Sequence, residues 1–152
     1  IGKPLVIVGR GMEEKRLKEK AENNIEFLGS VSQEKLVELY SKCKALIFPQ
    51  HEDYGLTPLE ANASGRPVIA YCHGGIETTM IPYNKYKQEN PFTAVFFSEQ
   101  NINSLINSIK TIETDFLHKI HLNLQKIQKD IFTTEIYNYL MKLLINTNKK
   151  IN

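Results

Sequence analysis

Cysteine is scarce in this 152-residue sequence, and its scarcity narrows the class of protein. Cys43 and Cys72 are the only thiols, too few for a disulfide framework or a cysteine-based metal centre. Each lies beside an apolar, strand-like segment, so we expect both to pack as small buried residues in a reducing compartment. The sequence does not indicate a disulfide-stabilised secreted domain.

An excess of charge of one sign and long apolar runs are also missing. The formal net charge is only +2 and the lysines are scattered, whereas nucleic-acid binding usually needs a concentrated basic face. No segment of the sequence has the length and apolar character of a membrane span. We therefore expect no nucleic-acid partner. The length fits one domain with a core of its own, and we expect that domain to be cytoplasmic.

What the sequence does contain is a regular alternation of short apolar runs and amphipathic segments. Strands are predicted at residues 5–8, 25–28, 45–48, 67–70 and 94–97. One helix is predicted at residues 13–22, a second begins after Ser32, a third ends near Ser64, and the chain is helical from Ile102 onward. Ser32 is a suitable N-cap, and Gly65 a left-handed stop. The polar segment 83–91 is predicted to be a mobile loop. This order predicts an α/β fold, a Rossmann-like parallel sheet with helices on both faces.

Ligands of such sheets bind beyond the carboxyl ends of the strands, so the candidate ligand-binding loops are those at 9–12, 29–32, 49–56 and 71–76. The first of these, Gly9-Arg10-Gly11, is only part of a dinucleotide fingerprint. Glu14 occupies the position of the third glycine, where its carboxylate would repel a pyrophosphate. A dehydrogenase is therefore disfavoured.

The loop at 49–56 and the segment after it read PQHEDYGLTPLEANASG. Glu52 follows a predicted strand, and Glu60 lies in the first turn of a predicted helix. Seven residues separate the two glutamates. Gly55 permits a close approach of the backbone, and the amides after it favour an anionic phosphate. Two carboxylates and free amides together could hold a nucleotide-linked sugar.

A purely structural interpretation of the same residues stays open. Thr57, Pro58 and Glu60 also form a capping box, in which Thr57 is the N-cap and Glu60 reaches back to it. Glu52 alone is typical of a solvated loop carboxylate.

Taken together, these motifs resemble the family-4 retaining glycosyltransferases of the GT-B fold. That family has a Glu, seven residues and a second Glu, usually around Phe-Gly-Leu, and here the string reads EDYGLTPLEANASGRPVIA. Four further segments resemble the family at the corresponding positions: LVIVGRG, IEFLGSVSQEKLVELYSKC, GGIETT and AVFFSEQNINSLINSIKTIE. The resemblance therefore covers roughly residues 3–145. Within the family, the sequence is most similar to bacterial mannosyl- and rhamnosyl-type transferases for surface polysaccharide.

The resemblance implies roles for particular residues. Glu60 would hold the donor ribose and Glu52 the transferred sugar, so these two are the expected catalytic-site carboxylates. Donor contacts are also implied for Val31, at the base, and for Tyr54, Gly55, Leu56 and Thr57, along the sugar and diphosphate. Gly74, Gly75 and Glu77 would border the cleft, although turn-forming glycines and a helix-start glutamate explain them equally well.

Two departures from the family are informative. Tyr54 replaces the usual Phe, and the phosphate-binding Arg and Lys that precede LVIVG in the family are absent. We therefore expect residues 1–152 to be a nucleotide-sugar-binding domain, the C-terminal half of a GT-B enzyme without its first strand and helix. Its missing partner is the N-terminal acceptor domain, and the piece alone should bind nucleotide weakly and transfer nothing.

The implied reaction moves a hexose, with mannose-type favoured, from a GDP- or UDP-linked donor to a surface-polysaccharide or lipid-linked acceptor with retention of configuration. We predict no metal and no cofactor beyond this substrate, because His51 and His73 are lone histidines in separate loops without a carboxylate at ligand spacing. Peripheral association of the full-length enzyme with the inner face of the plasma membrane stays open. So do two alternative functions: a non-catalytic α/β interaction module, and a GT-B sugar epimerase or phosphorylase.

Overall fold

The computed structural model of the chain describes residues 2–53, 55–84, 86 and 92–115. Strands and helices alternate along this part, and every strand pair is parallel, which confirms the α/β class. The chain divides into two compact units, Ile1–Glu38 and Leu39–Asn152. The five strands form two parallel sheets, one in each unit, where the sequence predicts one.

The first unit contains a parallel pair of strands and its connecting helix. Its elements are β1 (Leu5–Val8), α1 (Glu14–Lys20), β2 (Ile25–Gly29) and the first part of α2 (Gln33–Lys42), which continues into the second unit. Ser32 caps α2 as predicted: its Oγ accepts a hydrogen bond from the Lys35 N–H at 3.3 Å. Helix α1 is shorter than predicted because the chain becomes extended at Ala21.

The second unit is built on a three-stranded parallel sheet. Its elements are β3 (Leu46–Phe48), α3 (Leu56–Ala63), β4 (Val68–Tyr71), α4 (Ile76–Thr79), β5 (Ala94–Phe97) and α5 (Ile102–Asp115). The strands lie in the order β3-β4-β5, and Ile47, Ile69 and Val95 are in register across all three. The central strand β4 is almost entirely buried, which explains its continuous apolar sequence.

Helices cover both faces of this sheet, as predicted. On one face, Ile69, Val95 and Phe97 form a core cluster with Ile112 of α5. The alternation of side chains along a strand places Phe48 on the opposite face, and α3 packs against β3 and β4 there. The loops that follow β3, β4 and β5 therefore come together at one edge of a well-packed sheet.

Most predicted strands are found within one residue of their expected ends, and Gly65 terminates α3 with φ +74°. The short helix α4 was not predicted as a separate element, because four residues are too few to show periodicity. Cys43 and Cys72 are only half-buried, so the expectation of buried thiols is wrong. Most of the predicted loop at 83–91 and the helices predicted beyond Asp115 lie outside the described residues.

Candidate functional site

The carboxyl edge of the three-stranded sheet is held together by contacts between its loops. The Cys72 N–H donates to the Phe97 carbonyl at 2.9 Å, which joins the end of β4 to the end of β5. Gln100, after β5, donates its side-chain amide to the Pro49 carbonyl, after β3, at 3.0 Å. Because each loop is fixed by a neighbour, this edge can present side chains in defined positions.

Glu52 lies on this edge, and its backbone is anchored to the loop after β4. The Gly75 N–H donates to the Glu52 carbonyl at 3.0 Å, and Glu52 forms an isolated parallel bridge with Gly74. The side chain is exposed, and its Oε1 accepts a hydrogen bond from Gln50 Nε2 at 3.1 Å. The sequence-predicted neighbours Glu52, Gly74 and Gly75 are thus brought together.

Gly74 can be only glycine at this point. Its φ is +85°, and a Cβ there would lie 2.6 Å from the Glu52 carbonyl oxygen and 2.6 Å from His51 Cδ2. Both the left-handed conformation and the close approach exclude a side chain. The glycine is therefore required for the contact that fixes the Glu52 backbone.

Helix α3 starts immediately after Gly55, which is buried and left-handed at φ 72°. The helix begins at Leu56, so the prediction of Thr57 as N-cap is wrong, and no side chain makes a cap hydrogen bond at this end. First-turn amides point out of a helix and cannot bond within it, and the aligned peptide dipoles favour an anion there. The N–H groups of Leu56 and Thr57 are thus suited to bind phosphate oxygens.

Glu60 is the fifth residue of α3 and is half-buried. Its Oε2 accepts a hydrogen bond from the Tyr40 hydroxyl of α2 at 3.2 Å. The side chain therefore contacts a different helix and does not close its own, which removes the capping-box interpretation. Burial raises the pKa of the Glu60 carboxyl, and the hydrogen bond from Tyr40 acts in the opposite direction.

At helical spacing, Tyr40 falls on the apolar face of α2 with Leu36 and Leu39, and sequence reasoning missed its contact with Glu60. Burial, followed by the charge of Glu60, raises the pKa of the Tyr40 hydroxyl. The hydroxyl therefore keeps its proton at neutral pH and remains a donor. A polar group on an otherwise apolar helical face was the available signal, since a buried hydroxyl needs a partner.

The remaining predicted residues are described one by one. Val31 is half-buried in the first unit. Leu56 is exposed and Thr57 half-buried, whereas Tyr54 lies outside the described residues. Glu77 is exposed on α4, and its N–H donates to the Gly74 carbonyl at 3.2 Å, so its backbone belongs to the turn that borders Glu52.

His51 and His73 were expected in separate loops, but their rings are neighbours. The ring centroids are 4.5 Å apart with an interplanar angle of 55°. The signal was available, because β3 and β4 are adjacent parallel strands and the loops at their carboxyl ends must meet. Within the described ranges, no group of three or more His, Cys, Asp or Glu side chains could hold a metal ion.

Comparison with known proteins places this geometry in a family. The sequence profile described as glycosyl transferases group 1 matches residues 3–128. An alpha-1,3/1,6-mannosyltransferase of Dictyostelium discoideum is 37% identical over 102 residues, which are 62% of this chain and 24% of the relative. An O-antigen chain mannosyltransferase of Escherichia coli is 34% identical over 89 residues, which are 54% of this chain and 24% of the relative.

Solved structures give the same result for the fold. Sucrose-phosphate synthase from Thermosynechococcus elongatus matches 97% of this chain and 39% of its own with a TM-score of 0.69 at 25% identity. Anabaena HepE, solved in complex with UDP and glucose, matches 93% of this chain and 40% of its own with a TM-score of 0.65 at 22% identity. The chain thus spans about a quarter of these curated relatives and about two fifths of these structures.

The family match extends over well more than half of the chain and includes both sheets and the Glu52–Glu60 segment. The chain belongs to the family of glycosyl transferases group 1.

Proposed function

We propose that this chain is the donor-binding domain of a retaining hexosyltransferase that uses a nucleoside diphosphate sugar. The observation that carries the proposal is the start of α3, where a left-handed glycine leaves the helix without a side-chain cap. Glu52 precedes this point on the loop, and Glu60 follows it on the helix. One short segment thus offers an anion site between two carboxylates.

Each part of the donor has a matching group in this segment. The amides of Leu56 and Thr57, with the Gly55 backbone, are suited to the sugar and the diphosphate. The half-buried Glu60 carboxylate is suited to accept hydrogen bonds from ribose hydroxyls. Glu52 is exposed at the sheet edge and would contact the transferred hexose. A contact of Tyr54 with the sugar and a contact of Val31 with the base stay predictions from the family resemblance.

The proposed chemical step is the transfer of the hexose from the nucleoside diphosphate to the acceptor. The bond between the anomeric carbon and the diphosphate oxygen breaks, the nucleoside diphosphate leaves, and the acceptor oxygen forms a new bond to the same carbon with retention. The acceptor hydroxyl gives its proton to the departing diphosphate oxygen in this step. Amides at a helix start stabilise the negative charge that develops on the leaving diphosphate. We assign no nucleophile to Glu52 or Glu60.

The remainder of the machinery would come from the rest of the protein. We propose a partner domain that binds the acceptor, a surface polysaccharide or a lipid-linked glycan, and a strand and helix preceding Leu5 that supply the Arg and Lys for the phosphates. Neutralisation by amides and basic side chains would need no metal and no cofactor. The mannosyltransferase names of two relatives support a mannose-type donor, linked to GDP or UDP. Such an enzyme would act in the cytoplasm, at or near the membrane that carries its acceptor.

Two matched substitutions test the proposed roles in the chain. Glu60→Gln should weaken binding of GDP or UDP by roughly tenfold, because the uncharged amide accepts hydrogen bonds from the ribose less strongly than the carboxylate does. Glu52→Gln should leave the affinity for the free nucleotide unchanged and weaken only the intact donor, GDP-mannose. Calorimetric titration of both variants with nucleotide and donor measures the difference.

Equal and negligible effects of the two substitutions would contradict the assignment. Product analysis of the complete protein separates the alternatives within enzymes: a transferase gives glycosylated acceptor and nucleoside diphosphate, a phosphorylase gives a sugar phosphate, and an epimerase gives the free epimeric sugar or its nucleotide. An interaction module would show no saturable binding of either nucleotide.

A further inference from the structure

We propose that Tyr40 is a positioning residue for nucleotide binding: its hydroxyl fixes one oxygen of the Glu60 carboxylate, so that the other is presented to the ribose. This inference rests on the proposed function of Glu60. It adds a residue that lies 20 positions earlier in the chain, on a different helix, and outside the Glu52–Glu60 segment.

The two side chains in this contact differ in how much freedom each has to move. Tyr40 is only 6% exposed, and its ring is held in the interior of the second unit. A buried tyrosine has two side-chain torsions and little freedom, whereas a glutamate has three and loses more entropy when it is ordered. The 3.2 Å bond from the Tyr40 hydroxyl to Glu60 Oε2 therefore transfers the rigidity of the tyrosine to the carboxylate.

The direction of the bond leaves one carboxylate oxygen for the ligand. The hydroxyl remains protonated at neutral pH, so it donates, and Oε2 is the acceptor. Within the described residues, Oε1 of Glu60 has no hydrogen-bond partner. A ribose offers two adjacent hydroxyl donors, which can bond Oε1 and the remaining lone pair of Oε2. Fixing the carboxylate beforehand reduces the entropy that the ligand must otherwise offset on binding.

The test compares Tyr40→Phe with two nucleotides that differ only in the ribose hydroxyls. Calorimetric titration with GDP and with 2′,3′-dideoxy-GDP, or with the UDP pair if UDP is the tighter ligand, separates positioning from packing. We expect Tyr40→Phe to weaken the ribonucleotide about fivefold, the worth of one hydrogen bond, and the dideoxynucleotide by less than about twofold. In a Glu60→Ala background, where no side-chain acceptor remains for the hydroxyl to fix, Tyr40→Phe should add nothing.

Tyr71→Phe is the matched control, because it removes a hydroxyl from the same unit. Among the described residues, the Tyr71 ring contacts His73 and Phe97, and its hydroxyl has no hydrogen-bond partner. Neither nucleotide should bind this variant more weakly than wild type. Thermal unfolding of all variants reports their folded fraction.

Two results overturn the proposal and leave the proposed function intact. One is equal weakening of both nucleotides by Tyr40→Phe, which indicates a packing role. The other is unchanged ribonucleotide affinity in Tyr40→Phe while Glu60→Gln still weakens binding. If Glu60→Gln also leaves the ribonucleotide unaffected, or if the wild-type chain binds neither nucleotide, the role of Glu60 itself is wrong and both proposals fall.

Discussion

At the scale of single residues, Glu60, the proposed ribose ligand, lowers the stability of the folded chain at neutral pH relative to acid pH. Burial raises the pKa of its carboxyl above the ordinary 4.5 of glutamate, so the folded chain holds a proton more tightly than the unfolded chain does. The contribution of Glu60 to the free energy of unfolding is therefore largest below pH 4.5. It decreases as the pH rises through the folded-state pKa. Glu60→Gln removes this titration.

As the pH rises from 4.5 to 7.5, we expect wild type to lose free energy of unfolding relative to Glu60→Gln. At neutral pH the variant should be as stable as wild type or more so, although it binds nucleotide less well, a common trade-off at functional sites. Urea unfolding at a series of pH values measures the difference. A difference that does not change with pH would contradict the account.

Gly74 makes the second prediction at this scale. Gly74→Ala requires a left-handed alanine and moves the Glu52 carbonyl, so we expect a loss of about 2–3 kcal/mol in the free energy of unfolding. Gly65→Ala is the control: φ is +74° there, but a Cβ meets nothing within 4 Å, so the loss should be only about 1 kcal/mol. Equal losses in urea unfolding would show that the close approach at Gly74 costs nothing.

At the scale of elements, α3 is attached to the sheet by a buried side chain at its C-terminal end. Asn62 is 4% exposed, and its Nδ2 donates to the Arg66 carbonyl at 2.8 Å and to the Thr93 carbonyl at 3.3 Å. These bonds join the helix to the chain that enters β4 and to the residue before β5. They also hold in place the helix whose other end is the proposed anion site.

Asn62→Ala should reduce the free energy of unfolding by about 1–3 kcal/mol, because it leaves the half-buried Arg66 carbonyl and the buried Thr93 carbonyl without this donor. Asn107→Ala, on the exposed side of α5, should change it by less than about 0.5 kcal/mol. Urea unfolding of the two variants provides the comparison. A similar effect of both would mean that the Asn62 hydrogen bonds contribute nothing net.

The elements were predictable where the sequence pattern is local. Buried strands such as Val68–Tyr71 are continuous apolar runs, and the ends of α2 and α3 follow from Ser32 and Gly65. The capping-box interpretation places the start of α3 two residues late, at Pro58 instead of Leu56. A capping box is a local signal, but the structure uses the left-handed Gly55 and leaves the end without a side-chain cap. Contacts between elements, such as Tyr40 with Glu60 and His51 with His73, depend on how the elements pack, and the local sequence does not name the partner.

At the scale of the whole molecule, the sequence was sufficient for the class and the family. Alternating strands and helices predicted the α/β fold, and the spacing of Glu52 and Glu60 carried the resemblance that the family match confirms. The division of the strands into two sheets was not predictable, because pairing between strands depends on tertiary contacts. Nowhere in the described ranges is a helix both long and apolar enough to cross a membrane.

The central claim is that the uncapped start of α3 binds the nucleotide. Titration of the ¹⁵N-labelled chain with GDP, and separately with UDP, tests it most directly by following backbone amide resonances. We predict saturable shifts of the Gly55, Leu56 and Thr57 amides with at least one of the two nucleotides, and in Glu60→Gln the same shifts at roughly tenfold higher nucleotide concentration. Resonances of these three amides that stay unchanged at saturating concentrations of both nucleotides would contradict the account.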